Sequence, residues 1–167
     1  MVIWVTGLSG AGKTTLCTGV YRHLKPYIPE VMLLDGDIVR EAFGNDLTHK
    51  ETDRVIQVQR LHGMSKVLAE QGMVVIVAVL YAEPDLLAWN RENIPNYFEV
   101  YLKESLETVM TRDAKGLYAR AKAGEMPDVV GIDIPWYPPE HPDLVLSSED
   151  ETSPEALRRR LIDALPE

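Results

Sequence analysis

A chain of 167 residues, 46% hydrophobic and 26% charged, is long enough to bury one core and reads as a globular protein. Seventeen basic against twenty-six acidic residues leave a formal charge of −9, which repels long polyanions and excludes nucleic acid as the expected partner. No apolar stretch approaches the roughly 18 residues of a membrane span, and cleaving a leader would destroy the first strand and its turn, so a membrane is excluded too and a cytoplasmic location is expected.

The first element expected is a strand over 2–6, VIWVT, which drops straight into a glycine-rich turn. The run from Gly7 to Thr14, GLSGAGKT, satisfies G-x-x-x-x-G-K-[ST] in full, after a strand and before a helix predicted over 13–25. The glycines let successive N–H groups converge on an anion, and the helix adds its positive end. Lys13 reaches the outer phosphates, and Thr14 offers its hydroxyl to Mg²⁺. Gly7, Ser9, Gly10, Ala11, Gly12, Lys13, Thr14 and Thr15 are therefore the expected phosphate-binding residues, with ATP and Mg²⁺ as cofactors. Cys17 is the chain's one cysteine, so a disulfide within the chain is excluded and a buried apolar role on that helix is expected.

A second strand over 31–35 ends in LLDGD, which delivers Asp35 and Asp37 to the sheet edge that carries the phosphate loop. One carboxylate can orient Mg²⁺ and its waters while the other takes a hydrogen bond or proton from an attacking hydroxyl. Helices are predicted over 38–43, 53–71, 85–92, 105–112 and 153–165, and strands over 73–80, 98–103 and 143–147. The apolar run of the third strand suits burial on both faces. Ser153 and Pro154 open the last helix as a cap and a first-turn proline. His23, His49, His62 and His141 lack metal-ligand spacing and are expected to be structural or solvated.

The alternation predicts an α/β fold: a five-stranded parallel sheet with helices on both faces. One segment breaks the rhythm. Residues 112–142 hold five of the eleven prolines together with Arg112, Lys115, Arg120 and Lys122, and such a long insertion suggests a lid over anionic substrates. The expected organisation is thus a single domain over 1–167 with a lid at about 112–142, open or disordered until ligands fill the site. No guanine signature of the N-K-x-D kind follows a later strand, and the strand at 73–80 ends without the acidic residue of a motor ATPase. A kinase with a small acceptor fits best.

With these residues in view the chain resembles the adenylylsulfate kinases over nearly its whole length. The resemblance rests on GLSGAGKTT, on LDGDIVR against the family's L-D-G-D-N-x-R, on TDR at 52–54, and on RDAKGLYARAKAGE with GIDIPWYPPEHPDLVL. It implies a P-loop nucleotide-kinase fold, a mobile lid, a homodimer, and transfer of the ATP γ-phosphoryl group to the ribose 3′-hydroxyl of adenylyl sulfate. Carried onto this chain, it implies a catalytic set of Lys13, Asp35, Asp37 and Arg40. Asp35 would act on the metal through water beside Thr14, and Asp37 would face the acceptor hydroxyl. Arg40 and Arg54 would bind the acceptor's phosphate-like groups, Arg112 would border the ATP base, and Lys115 would reach in from the lid. Gln57, Leu80 and Gly131 complete the expected acceptor-binding residues.

The acceptor side departs from the family pattern. Ile38 replaces an Asn, His49 stands where one acceptor-stacking aromatic is expected, and Val129 and Val130 replace a second Phe and a Thr. Residues 56–60, IQVQR, and the stretch LYAEPDLLAWNR also differ from the family's E-N-I-R-R and I-S-P-Y-R-x-D-R. Each lost stacking partner would forfeit about 1–3 kcal/mol. DGDIVRE and AVLYAEPDLLAWNREN are similar to capsule-associated relatives that phosphorylate cytidine diphosphoramidate, with Tyr81 and Trp89 as new bulk around a smaller base. A cytidine diphosphate derivative is therefore the expected acceptor, with adenylyl sulfate as the alternative. A non-catalytic nucleotide sensor and a subunit working with a sulfurylase or capsule transferase are the readings from other classes.

Overall fold

The computed structural model describes residues 1–113, 115–150 and 153–166, so Ala114 of the expected lid and the last residue of the expected 1–167 domain lie outside the described residues. Five strands form one sheet: β1 (Val2–Thr6), β2 (Val31–Asp35), β3 (Val74–Val79), β4 (Tyr97–Leu102) and β5 (Leu144–Leu146). They are parallel throughout and lie in the order β2-β3-β1-β4-β5. This is the expected α/β architecture.

β1 is the central strand and is buried at every residue, with Val2, Ile3, Trp4 and Val5 fully enclosed. Covered on both faces, such a strand needs an unbroken apolar run rather than alternation, which is how VIWV and VVIVAV read. Register brings the strand ends level. Thr6 lies opposite Val79 on one side and Tyr101 on the other, and Asp35 lies opposite Ala78. The turns that follow β1, β2, β3 and β4 therefore open on one edge, where parallel sheets bind ligands.

The helices are α1 (Lys13–Leu24), α2 (Gly36–Ala42), α3 (Glu51–Glu70), α4 (Pro84–Asn93), α5 (Leu106–Arg112), α6 (Leu117–Lys122) and α7 (Pro154–Ala164). α3 begins two residues before the expected 53, and two other helices depart from the sequence expectation for local reasons. α2 begins at Gly36, two residues before the expected 38, because the Asp35 carboxylate accepts the Asp37 N–H and caps the helix at once. α6 falls inside the segment expected to be irregular, since the Asp113 carboxylate accepts the N–H groups of both Tyr118 and Ala119. Within that segment Val130 also pairs with Ile134. β5 is shorter than the expected 143–147.

α3 and α4 meet over an aromatic cluster. His62 stacks on Trp89 with centroids 4.8 Å apart and planes 4° apart, and Trp4 tilts against His62 at 5.5 Å. Burial holds the His62 imidazole down to about 4, so it is neutral at physiological pH. No described helix is long and apolar enough to cross a membrane.

α7 closes the fold against α1, capped by Ser153 Oγ, which accepts the Ala156 N–H at 3.2 Å. Leu161 is its one fully buried anchor. Leu161→Ala is expected to lower stability by about 2–5 kcal/mol in urea unfolding, while nucleotide affinity of the folded fraction stays within twofold.

Candidate active site

The phosphate loop sits where β1 ends and α1 begins. Gly10 and Gly12 have φ of 82° and 98°, which side chains with a Cβ adopt only under strain. Gly7 is needed for another reason: a Cβ there would lie 2.5 Å from the Leu102 carbonyl of β4. The Lys13 ammonium folds back on the loop and donates to the Gly7 and Leu8 carbonyls at 2.7 and 2.8 Å. Desolvation pulls its pKa down to about 8, against the raising fields of Cys17, Asp37 and Asp35. Ser9, Ala11 and Thr15 complete the loop and the first turn around this ammonium, and Thr15 is exposed on α1.

Asp35 ties the loop to the next element. Its Oδ2 accepts the Thr14 hydroxyl at 2.7 Å, and its Oδ1 accepts the Asp37 N–H at 3.0 Å. Thr14 and Asp35 thus present adjacent oxygens at the entrance of α1. That hard-oxygen pair suits Mg²⁺, which takes one or two protein oxygens together with phosphates rather than a full protein cage. Among the described residues no cluster of three or more His, Cys, Asp or Glu side chains could hold a metal unaided.

Asp37 is the exposed carboxylate of the pair. It stands at the start of α2, 74% exposed, and its partner is Lys115 Nζ at 3.5 Å, itself 74% exposed, from the loop before α6. Lys115, expected from the sequence to reach in from the lid, lies in the loop before α6.

Arg40 and Arg54 are both buried beside it. Arg40 donates to the Thr48 carbonyl at 3.1 Å and to Leu47 at 3.4 Å, which holds the loop between α2 and α3. Arg54 donates from Nε to His49 O at 2.9 Å and from Nη2 to Asp128 O at 2.8 Å, joining α3 to the segment around Val129. Desolvation lowers both guanidinium pKa values; the Arg40 field lowers Arg54 further, and Asp37 opposes the shift at each. His49 is held below its ordinary value by desolvation and then by the same two arginines. In a chain of net charge −9 this is a local concentration of positive field.

Other expected residues take more structural positions. Gln57 is buried; its Nε2 donates to Gly36 O at 3.0 Å and joins α3 to α2, while its Oε1 accepts from Arg60 within α3. The Leu80 carbonyl accepts the Thr6 hydroxyl at the end of β3. Gly131, at φ 94°, packs near Leu8 and Leu106. Arg112 lies at the end of α5, where its Nη2 donates to Ser148 Oγ at 2.7 Å and to the buried Glu104 at 3.4 Å.

Trp89 does not sit as the sequence suggested. Trp89 is engaged on His62 between α3 and α4, with Lys66 over its other neighbourhood at 5.9 Å, so it adds no bulk to a base pocket. Tyr81 is buried, and its hydroxyl donates to Glu51 at 2.6 Å. Four positions escaped the sequence reading. Tyr118 is buried with its hydroxyl on Ser9 O at 2.7 Å, and Asp133 accepts the N–H groups of Asp128 and Val129. Glu104 receives Ser148 as well as Arg112, and Tyr137 meets Tyr81 edge-on at 6.3 Å. Tyr118 and Asp133 lie inside the R-D-A-K-G-L-Y and G-I-D blocks, so their spacing was a usable signal; Glu104 and Tyr137 carry none.

A cavity of about 320 Å³ opens beside Leu8, lined by Leu106, Gly131, Ile132, Ile134 and Trp136. It lies on the side of the phosphate loop that the segment after α6 covers, and its volume is that of a small-molecule site.

The chain is similar to known proteins over most of its length. A family profile described as adenylylsulphate kinase matches residues 1–147. An adenylyl-sulfate kinase of Deinococcus deserti is 40% identical over 164 residues, covering 96% of this chain and 88% of its own. One of Halothermothrix orenii is 39% identical over 156 residues, covering 93% and 84%. The structure of the Mycobacterium tuberculosis APS kinase CysC in complex with AMPPNP and APS superposes with a TM-score of 0.89 at 35% identity, over 98% of this chain and 96% of that one.

The depressed Lys13 pKa has a measurable consequence. The free protein loses the ammonium as pH rises through about 8, and a bound triphosphate restores it. MgATP binding is therefore expected to take up about a tenth of a proton at pH 7 and about three-quarters at pH 8.5. Calorimetry in buffers of different ionisation enthalpy measures this directly; uptake that does not grow between the two pH values contradicts it.

Proposed function

This chain belongs to the adenylylsulphate kinase family, and on that premise we propose that it transfers the γ-phosphoryl group of ATP to the ribose 3′-hydroxyl of adenylyl sulfate. The observation that carries this reading is the meeting, at one sheet edge, of the phosphate loop with the Asp35–Gly36–Asp37 turn, sealed by the Thr14–Asp35 hydrogen bond. The chain is an ATP-dependent phosphotransferase acting on an alcohol group, as its relatives are named for.

In this reading Lys13 leaves the Gly7 and Leu8 carbonyls to hold the outer phosphates. Thr14 and Asp35 would hold Mg²⁺ directly and through water; when bound, the ion neutralises charge on the phosphates and orients them. Asp37, free of other backbone duties at its carboxylate, accepts the hydrogen of the attacking hydroxyl. Arg40 and Arg54, both desolvated and with the Arg40 field lowering the proton affinity of Arg54, gain an anionic counterpart from the acceptor. Lys115 bridges from the lid, and Leu80, Gly131 and the cavity beside Leu8 line the acceptor. Arg112, held by Ser148 and Glu104, borders the adenine of ATP. The lid assignment for 112–142, the organisation as one domain, a homodimer and a cytoplasmic location belong to the same proposal.

The cytidine diphosphate acceptor expected from the sequence departures gives way to adenylyl sulfate. The curated relatives are named adenylyl-sulfate kinases, and the solved neighbour carries APS. The structure also removes one support of the cytidine reading, because Trp89 is spent on His62. The exposed His49 and buried Val129 remain genuine departures near Arg54.

Two measurements test the proposal. Asp37→Asn is expected to lower turnover by roughly 10²-fold or more with ATP affinity little changed; an equal loss of ATP affinity would place Asp37 on the metal instead. In a coupled ADP-release assay at saturating MgATP, kcat/KM for adenylyl sulfate is expected to exceed that for a cytidine diphosphate derivative by at least tenfold, equivalent to about 1.4 kcal/mol of transition-state binding. The reverse order would restore the cytidine acceptor.

A further inference from the structure

The segment after α5 touches the phosphate loop through one side chain. Tyr118, on α6, is 2% exposed, and its hydroxyl donates to the Ser9 carbonyl at 2.7 Å across 109 positions of sequence. Its own backbone is fixed at the same time, because Asp113 accepts the N–H groups of Tyr118 and Ala119 at 3.0 Å. Asp113 in turn follows Arg112, which is anchored on Ser148 and Glu104. The hydroxyl is thus aimed from a braced helix rather than from a loose loop.

What it holds is a peptide group next to a glycine. Ser9 C=O and Gly10 N–H belong to one planar trans peptide and point in opposite directions. Gly10, at φ 82°, offers little steric resistance to rotation of that plane. The neighbouring carbonyls of Gly7 and Leu8 are pinned from within the loop by Lys13, and Leu8 O also accepts the Ala11 N–H at 3.1 Å. The Ser9 carbonyl is pinned from outside.

We propose that Tyr118 is a positioning residue for ATP: by holding the Ser9 carbonyl it turns the Gly10 N–H toward the phosphates, and it thereby couples docking of α6 to nucleotide affinity. The inference rests on the ATP-site reading above and adds to it the element that completes the site. Burial raises the Tyr118 phenol to about 12, so the hydroxyl stays a donor throughout the working pH range. The coupling is reciprocal by thermodynamic necessity: if a docked α6 improves ATP binding, bound ATP holds α6 down by the same factor.

Tyr118→Phe removes the hydroxyl and keeps the buried ring. Titration of wild type and variant with MgATP and with MgADP is expected to show three- to tenfold weaker binding in the variant, the range of one hydrogen bond. KM for ATP is expected to rise in step, with kcat and the acceptor KM within twofold. Hydrogen exchange supplies a readout that a merely structural role would not move. MgATP should slow exchange over residues 115–123 in wild type and do so much less in the variant. Unchanged nucleotide affinity in a folded Tyr118→Phe protein overturns the proposal alone, as does a fall in kcat with ATP affinity intact. Wild-type protein that binds no MgATP overturns the ATP-site reading and this inference with it.

Discussion

The Asp35 carboxylate is shared between two elements that have no other reason to stay in register. One oxygen takes the Thr14 hydroxyl from the first turn of α1, and the other takes the Asp37 N–H at the first turn of α2. It is buried at the end of β2, so neither bond competes freely with water. Because β2 is two strands away from β1, this carboxylate converts sheet register into a fixed distance between the phosphate loop and Asp37. The exposed Asp37 carboxylate inherits its position from the buried one.

Strand order divides the labour. β1 stands at the centre with the phosphate loop at its end. β4 and β5 lie on one side and lead to Arg112 and Ser148; β2 and β3 lie on the other and lead to Asp37, Arg40, Leu80 and Tyr81. The side chains around Arg112 and those around Asp37 are therefore carried by different strands. Substitutions at Ile38, His49 or Tyr81 leave Gly7 to Thr14 under the constraints of its own backbone and of the Leu102 carbonyl.

This division explains how much could be read beforehand. The phosphate loop was legible because its chemistry is local: glycines, a lysine and a threonine within eight residues, bracketed by a strand and a helix. The sheet was legible because VIWVT and VVIVAV are buried on both faces and carry no competing pattern. α6 and the early start of α2 were not, since each depends on a capping carboxylate, Asp113 or Asp35, whose choice of partner is settled only by the folded chain. The acceptor half was misjudged where a side chain's direction mattered. Trp89 sits two turns along from the site in sequence terms yet faces His62 across α3, and nothing in AVLYAEPDLLAWNREN distinguishes those faces without the packing.

Of the chain's three tryptophans, two share the His62 ring and the third stands apart. Trp4 is wholly enclosed in β1, Trp89 lies flat on a neutral imidazole at the α3–α4 face, and Trp136 borders the cavity beside Leu8 and tilts against Tyr101 at 6.2 Å. Two of these indoles are locked to the scaffold and sense little of what happens at the sheet edge. The third looks into the space that ligands would fill. Of the three, Trp136 is therefore the indole whose emission a molecule entering the cavity would alter, and the protein carries its own optical gauge there.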